Sequence, residues 1–224
     1  MLVEKIAGPL SNLQRDHLTR MNASGRHLLG LIEDLLGYAR IEAGEEVVRP
    51  ERLQLTEVLQ ESVDLVRPLA EQKGLRLRLE GTTTPLELLT DARRLRQILV
   101  NVLGNAIKFT PAGDVTLDVR VDGAEPCDVE PCFRVYFELS DTGAGLSLAD
   151  QAHVFDLYWQ HDPASTHRDR SSGLGLSVAR QLAHLLGGDI AIGVSVPGKG
   201  STFVVALPAR YKVGAAPVRA MPHG

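Results

Sequence analysis

From Leu18 onward, apolar residues recur every three or four positions: Leu18, Met21, Leu28, Ile32, Leu35 and Ala39, with Gly25 in phase. That spacing lines one face of an α-helix and predicts the seam of a coiled coil or helical bundle. Leu29, Leu36 and Ile41 widen the stripe enough for a second partner helix. Ser11 or Asn12 supplies the cap, and Gly8-Pro9 breaks whatever helix precedes it. A helix of this kind cannot bury its own stripe. It needs a hairpin partner, a second chain, or both.

Past Glu45 the period changes. A linker to Leu55 leads into a short extended segment, with Pro50 marking irregular backbone. Thr56 is placed to cap a helix running to about Lys73 and ended by Gly74, with Val58, Leu59, Val63, Leu65, Val66 and Leu69 as its apolar face. Strict alternation over Leu75–Glu80 predicts a half-buried strand, and a second short strand covers Leu86–Leu89. Thr90-Asp91 then caps a helix carrying RQILVNVLGNAIKF. Val115–Val121 and Phe133–Leu139 alternate again and predict an antiparallel hairpin with one face under helices. Ser147 caps a short helix within 147–157, and a polar loop covers 160–172. An apolar helix follows from Gly173 to Leu186, closed by Gly187-Gly188. Strands Asp189–Val194 and Thr202–Leu207 turn at Gly198-Lys-Gly200, and residues 209–224 carry no period and predict a loose tail. Helices and strands in this order predict an α+β fold with a sheet under helices, preceded by a helical segment.

The central helix also carries chemistry. Asn101 and Asn105 stand four residues apart, on one face, followed by Lys108. Amide oxygens are hard neutral donors that suit Mg²⁺ beside phosphate oxygens and water. A lysine supplies a point charge to phosphate. Taken alone, the three residues also describe a buried helix with one polar stripe.

Downstream come Asp141-Thr-Gly-Ala-Gly145, Val154-Phe-Asp-Leu-Tyr158, Gly173-Leu-Gly-Leu176 and Gly198-Lys-Gly-Ser-Thr-Phe203. In this order, the set resembles the ATP-binding domain of sensor histidine kinases, from about residue 10 to residue 208. Those domains share a superfamily with DNA gyrase, heat-shock-type chaperones and mismatch-repair ATPases, and the resemblance implies their Bergerat-type fold, a two-layer α/β sandwich with a mixed sheet under helices. It implies that Asp141 reads the adenine amino group within a loop containing Gly143, Gly145 and Leu146, with Phe109 beside the base. Gly173, Leu174, Gly175 and Leu176 would then open a helix whose N-terminus takes phosphate. Phe155, Tyr158 and Trp159 resemble the phenylalanine box below a lid over 160–172, from which Arg168 or Arg170 reaches phosphate. Gly198, Gly200 and Thr202 form a further glycine box. Asn105 becomes the main magnesium ligand with Asn101 beside it, and Asn101, Asn105 and Lys108 become the catalytic group. Gyrase-like relatives place a glutamate base where Asn101 stands. An amide activates water poorly, which favours a kinase over a fast hydrolase.

The N-terminal stripe acquires a meaning too. Gly25-Arg-His-Leu-Leu-Gly-Leu-Ile-Glu-Asp-Leu-Leu and Ile41-Glu-Ala-Gly44 resemble the second helix of a histidine kinase dimerisation hairpin. The phosphoaccepting His-Glu-x-x-x-Pro motif of the first helix does not occur in this sequence, and His17 and His27 lie on the second helix in structural contexts. The expected division is a partial hairpin over 1–44, an ATP-binding domain over 45–208 and a tail over 209–224. Autophosphorylation within the chain is not expected. The implied partners are ATP, magnesium, a response-regulator receiver domain and a second copy joined through the 11–42 helix. The rival functions are a regulatory ATP-binding module, a slow gyrase- or chaperone-like ATPase, and a serine kinase of the anti-sigma type.

Composition narrows this further. The chain has 224 residues, 44% hydrophobic and 23% charged, with a net charge of -4, which gives no reason to expect nucleic acid as a partner. No apolar run reaches membrane-spanning length and no signal-peptide pattern opens the sequence, so a cytoplasmic location is expected. Cys127 and Cys132 lack the two further soft ligands of a zinc site and read as reduced thiols near a loop.

Overall fold

The computed structural model describes residues 11–81, 86–125, 132–159 and 173–210. The chain runs α1 (Asn12–Glu42), β1 (Glu51–Gln54), α2 (Leu55–Gln72), β2 (Arg76–Glu80), β3 (Glu87–Thr90) and α3 (Ala92–Phe109). It continues through β4 (Asp114–Glu125), β5 (Cys132–Asp141), α4 (Leu148–His153), α5 (Gly175–Leu185), β6 (Asp189–Val196) and β7 (Gly200–Pro208). Five strands form a sheet in the order β2-β4-β5-β7-β6. Only β2 and β4 are parallel, so the sheet is mixed, as expected. Along β4, β5 and β7 the inward positions are buried: Val115, Leu117 and Val119, then Val135, Phe137 and Leu139, then Phe203, Val205 and Leu207. Onto that face pack the buried stripes of α2, α3 and α5. The opposite face carries the polar half of the alternation, including Arg120, which pairs with Glu138 and lies 5.0 Å from the Tyr136 ring centroid.

Two expectations shift. Helix α2 starts at Leu55, one residue before Thr56, and its N-cap Gln54 makes no side-chain capping bond. Leu55 N–H donates instead to Leu86 O at 2.9 Å, so the chain leading into β3 does the work assigned to the threonine hydroxyl. The ordered fold also extends past residue 208. Ala209 is buried, its N–H donates to Phe133 O at 2.8 Å, and its carbonyl accepts from Leu89 N–H at 3.1 Å. The tail predicted from 209 therefore does not begin there. Gly8-Pro9, Cys127, the 160–172 loop with Arg168 and Arg170, and residues 211–224 lie outside the described residues, as does the side chain of His27.

The 31 residues of α1 open with a capping box between Ser11 and Gln14. Its stripe is largely uncovered: Met21, Leu28, Leu29 and Leu36 are all more than half exposed. Among the described residues its last turns dock, with Tyr38 and Ile41 packed on the core. Burial first, and Glu42 next, push the Tyr38 hydroxyl pKa up, while a hydrogen bond with Gln181 of α5 opposes them. The linker after α1 is fastened to the start of α3, by an ion pair of Glu46 with Arg94 and by Arg49 N–H donating to Asp91 Oδ2 at 3.0 Å. No described helix is long and apolar enough to cross a membrane.

Candidate functional site

Helix α3 is where the site is assembled. Asp91 caps it, its Oδ1 accepting from Arg94 N–H at 3.1 Å. Leu95, Ile98, Leu99, Val102, Leu103, Ala106 and Ile107 bury against the sheet and neighbouring helices. Asn101, Asn105 and Lys108 are left on a half-buried stripe. The last turn is gripped from outside, because Lys73 Nζ donates to Ile107 O at 3.0 Å and also to Lys108 O. A cation at a helix C-terminus satisfies orphan carbonyls and complements the dipole. Sequence reasoning missed Lys73, whose only signal was a lysine just before the Gly74 stop. Lys108 Nζ stands 5.1 Å from the centroid of the Phe109 ring, which is itself 44% exposed.

One end of the site gathers around Asp141. This residue continues the inward face of β5 beyond Leu139. Its Oδ1 accepts from Gly143 N–H at 2.8 Å, and Ser201 N–H and the Thr110 hydroxyl also lie on the carboxylate. Burial pushes its pKa up from the ordinary carboxylate value, and these bonds partly pull it back. The Thr110 hydroxyl has one proton, contested by Ala106 O at 2.7 Å. Gly143 has no room for a side chain: a Cβ there would stand 2.8 Å from Asp141 Oδ1 and 2.9 Å from Thr110 Oγ1. Ala144 N–H donates to Phe109 O at 3.3 Å, which ties this loop to the end of α3. Phe109, Asp141, Gly143, Gly145 and Leu146 are thus brought into one neighbourhood.

Thr202 is not brought there. In the β5–β7 register Asp141 faces Ser201, while Thr202 faces Ser140, with their hydroxyls 2.8 Å apart. Alternation puts Thr202 on the other face of the sheet from Asp141. Ser201, one residue earlier and buried, is the neighbour of the carboxylate. A glycine box read without its strand register does not distinguish the two.

The other end of the site is the start of α5. Leu174 is its N-cap, buried, with no side-chain capping bond. The first-turn N–H groups therefore receive no capping side chain from Leu174. A Cβ on Gly175 would come within 3.4 Å of Asn105 Nδ2, so this helix start lies against the asparagine stripe. Leu174 fixes the helix start through the core, and Leu176 is half-buried. Gly173 O accepts from Tyr158 N–H at 3.1 Å. Tyr158 has φ +62, among the described residues the one non-glycine in that region, and is 58% exposed. Phe155 anchors this corner: it meets Phe203 edge-on at 6.3 Å, and Arg180 lies 4.8 Å from its centroid while pairing with Asp189 at 2.9 Å. Arg180 and Asp189 were not singled out from the sequence, since their contact depends on how α5 packs on β6.

Among the described residues no three His, Cys, Asp or Glu side chains cluster to hold a metal. The donor set here is of another kind. Asn101 Nδ2 is buried without a hydrogen-bond partner among the described residues. A half-turn of that amide presents its carbonyl oxygen at the same point, the donor a hard cation takes. Together with Asn105, the chemistry fits a magnesium ion that draws its remaining ligands from phosphate and water.

Residues 90–211 match the family described as histidine kinase-, DNA gyrase B-, and HSP90-like ATPase. The circadian input-output histidine kinase CikA of Synechococcus elongatus is 36% identical over 204 residues, covering 90% of this chain and 26% of that protein. The signal transduction histidine-protein kinase BarA of Escherichia coli is 34% identical over 195 residues, covering 87% of this chain and 21% of its own length. The chain thus spans about a quarter of the curated relatives it matches, at 26% and 21%. Among solved structures, full-length ShkA in complex with AMPPNP superposes with a TM-score of 0.74 at 32% identity, over 96% of this chain and 42% of that one. The Acinetobacter baumannii histidine kinase AdeS shares the fold, with a TM-score of 0.65 at 21% identity over 93% of this chain and 89% of its own. With the matched segment covering more than half of the 224 residues, the chain belongs to the histidine kinase-, DNA gyrase B- and HSP90-like ATPase family.

Proposed function

We propose that this chain is the ATP-binding catalytic part of a sensor histidine kinase. One observation carries it. The last turns of α3 hold Asn105 against the start of α5 and hold Phe109 and Thr110 against the Asp141 loop, so a base site and a phosphate site lie about 6 Å apart along one helix. The buried Asp141 carboxylate accepts a hydrogen bond from the adenine amino group. Guanine presents a carbonyl at that position and is repelled. Phe109 lies beside the base, and Ser201 stands with Asp141. Phosphates lie toward the N–H groups that open α5 and toward Lys108. Asn105 and Asn101 would hold magnesium, which supplies charge neutralisation to the transferring phosphoryl group when bound. Lys108 and the α5 dipole stabilise the same developing charge from the protein side. Asn101, as an amide, takes no proton from water, so hydrolysis is slow and transfer to an imidazole is favoured.

The acceptor is a histidine on a helical hairpin of which α1 is the second helix, and a response-regulator receiver domain then takes the phosphoryl group in the cytoplasm. A second copy covers the exposed α1 stripe, and dimers in a sedimentation run support that pairing. His17 is exposed on α1 beside the Arg20–Asp16 ion pair and is not the acceptor. The test is incubation with labelled ATP and magnesium, alone and with an added hairpin carrying a His-Glu-x-x-x-Pro helix. Acid-labile label on the added hairpin and none on the chain is the expected result. Label on His17 or His27, or steady hydrolysis without transfer, contradicts it.

A further inference from the structure

We infer, on the footing of the nucleotide site proposed above, that Ser195 and Gln151 are positioning residues for purine recognition. They hold the Gly143–Leu146 loop and, through it, set where the base meets Asp141.

The loop between β5 and α4 belongs to no ladder, so its peptide groups must find partners elsewhere. Ala144 O accepts from Gly198 N–H at 2.6 Å. Leu146 N–H donates to Ser195 Oγ at 2.8 Å, and Leu146 O accepts from Gln151 Nε2 at 3.1 Å. The second hydrogen of that amide reaches Ser195 O at 3.3 Å, so Gln151 bridges the loop to β6. Ser195 Oγ is also 2.8 Å from Ser201 Oγ. Either hydroxyl of that pair can donate, and the Ser195 hydroxyl also lies 3.5 Å from Gly200 O. Ser201 N–H in turn lies on the Asp141 carboxylate. One run of hydrogen bonds therefore joins the loop to the group that reads the base.

The strand is bent to make this contact. Ile190 and Ile192 of β6 point inward opposite Val205 and Phe203, and simple alternation would send Val194 inward next and Ser195 outward. The register shifts between Ile192 and Val194, so Ser195 comes to face Ser201 while Val194 is left 65% exposed. A bulge re-aims the residues after it, and here it turns a hydroxyl to the Asp141 side and a valine to water.

The test is calorimetric titration with ATP and with inosine triphosphate, which lacks the amine, in magnesium buffer. Subjects are the wild type, Ser195→Ala, Ser195→Thr and Gln151→Leu. Ser195→Ala is expected to weaken ATP about fivefold, the loss of one hydrogen bond, while inosine triphosphate changes less than about twofold. Ser195→Thr, which keeps the hydroxyl, stays near the wild type. Gln151→Leu lies on a short surface helix and carries the same test should Ser195→Ala fold poorly. Equal losses for both nucleotides, or no loss in either variant of a protein that binds ATP, overturn the inference. A wild type that binds no ATP contradicts the proposed function instead.

Discussion

The two ends of the proposed nucleotide site are built on opposite principles. At the base end a buried carboxylate already has partners, since Gly143 N–H, Ser201 N–H and the Thr110 hydroxyl converge on Asp141. At the phosphate end α5 opens without a side-chain cap, and Asn101 Nδ2 is buried and unpartnered among the described residues. A carboxylate held by hydrogen bonds with an acceptor site to spare costs little reorganisation and fixes geometry, so it discriminates. Unsatisfied donors and amides gain most when an anion and its cation arrive, so they supply affinity.

The largest break in that contrast is Asp141→Ala. It removes a charged acceptor and should weaken ATP about a hundredfold, while inosine triphosphate, whose carbonyl would face that carboxylate, should not weaken, as read by calorimetry. Next is Asn105→Ala. The loss should be at least on the order of tenfold, the scale seen even for groups that merely orient a metal ligand, and it should vanish when magnesium is chelated.

Acidity sharpens the same contrast. Burial raises the Asp141 pKa, so ATP affinity should fall as pH drops into the window just above the ordinary carboxylate range, where Asp141 protonates. For the fold itself the sign is reversed. A pKa raised in the folded state contributes stability that is present below the unfolded value and is lost as pH rises through the folded one. At Asp189 burial also pushes the pKa up, but bonds from Arg180, Ile190 N–H and His184 overcome it and hold the carboxyl low. Asp189 therefore stabilises the fold above its unfolded pKa, and that contribution is lost as pH falls through the folded value. Binding and denaturation curves over one pH series separate the two effects.

The smallest expected effect is at Thr202→Val. Its hydroxyl meets Ser140 on the far face, so ATP affinity should move by less than about twofold. A tenfold loss would put the nucleotide, or its loop, on the other side of the sheet.

What the sequence made legible was local. Periods of 3.6 and 2, the Asp91, Ser11 and Ser147 caps, and the glycine stops at Gly74 and Gly187 come from neighbouring residues, and they located the elements. The asparagine helix was legible for the same reason, since Asn101 and Asn105 share a face whatever surrounds them. What escaped depends on pairing at a distance. Strands β1 and β3 form their own two-stranded sheet from segments more than 30 residues apart. Ser201 is separated from Thr202 only by the β5–β7 register, and Ser195 reaches the Asp141 loop only because of a bulge. Lys73 grips α3 across the α2–α3 packing. In each case the partner is set by packing or register and not by residues adjacent in the chain.

The account stands most directly on one titration of the wild-type chain with ATP in magnesium, repeated with inosine triphosphate. It predicts saturable binding of ATP at one site and binding of the amine-free nucleotide that is weaker by about the factor expected at Asp141→Ala. No heat with ATP, or equal affinity for the two nucleotides, would contradict it.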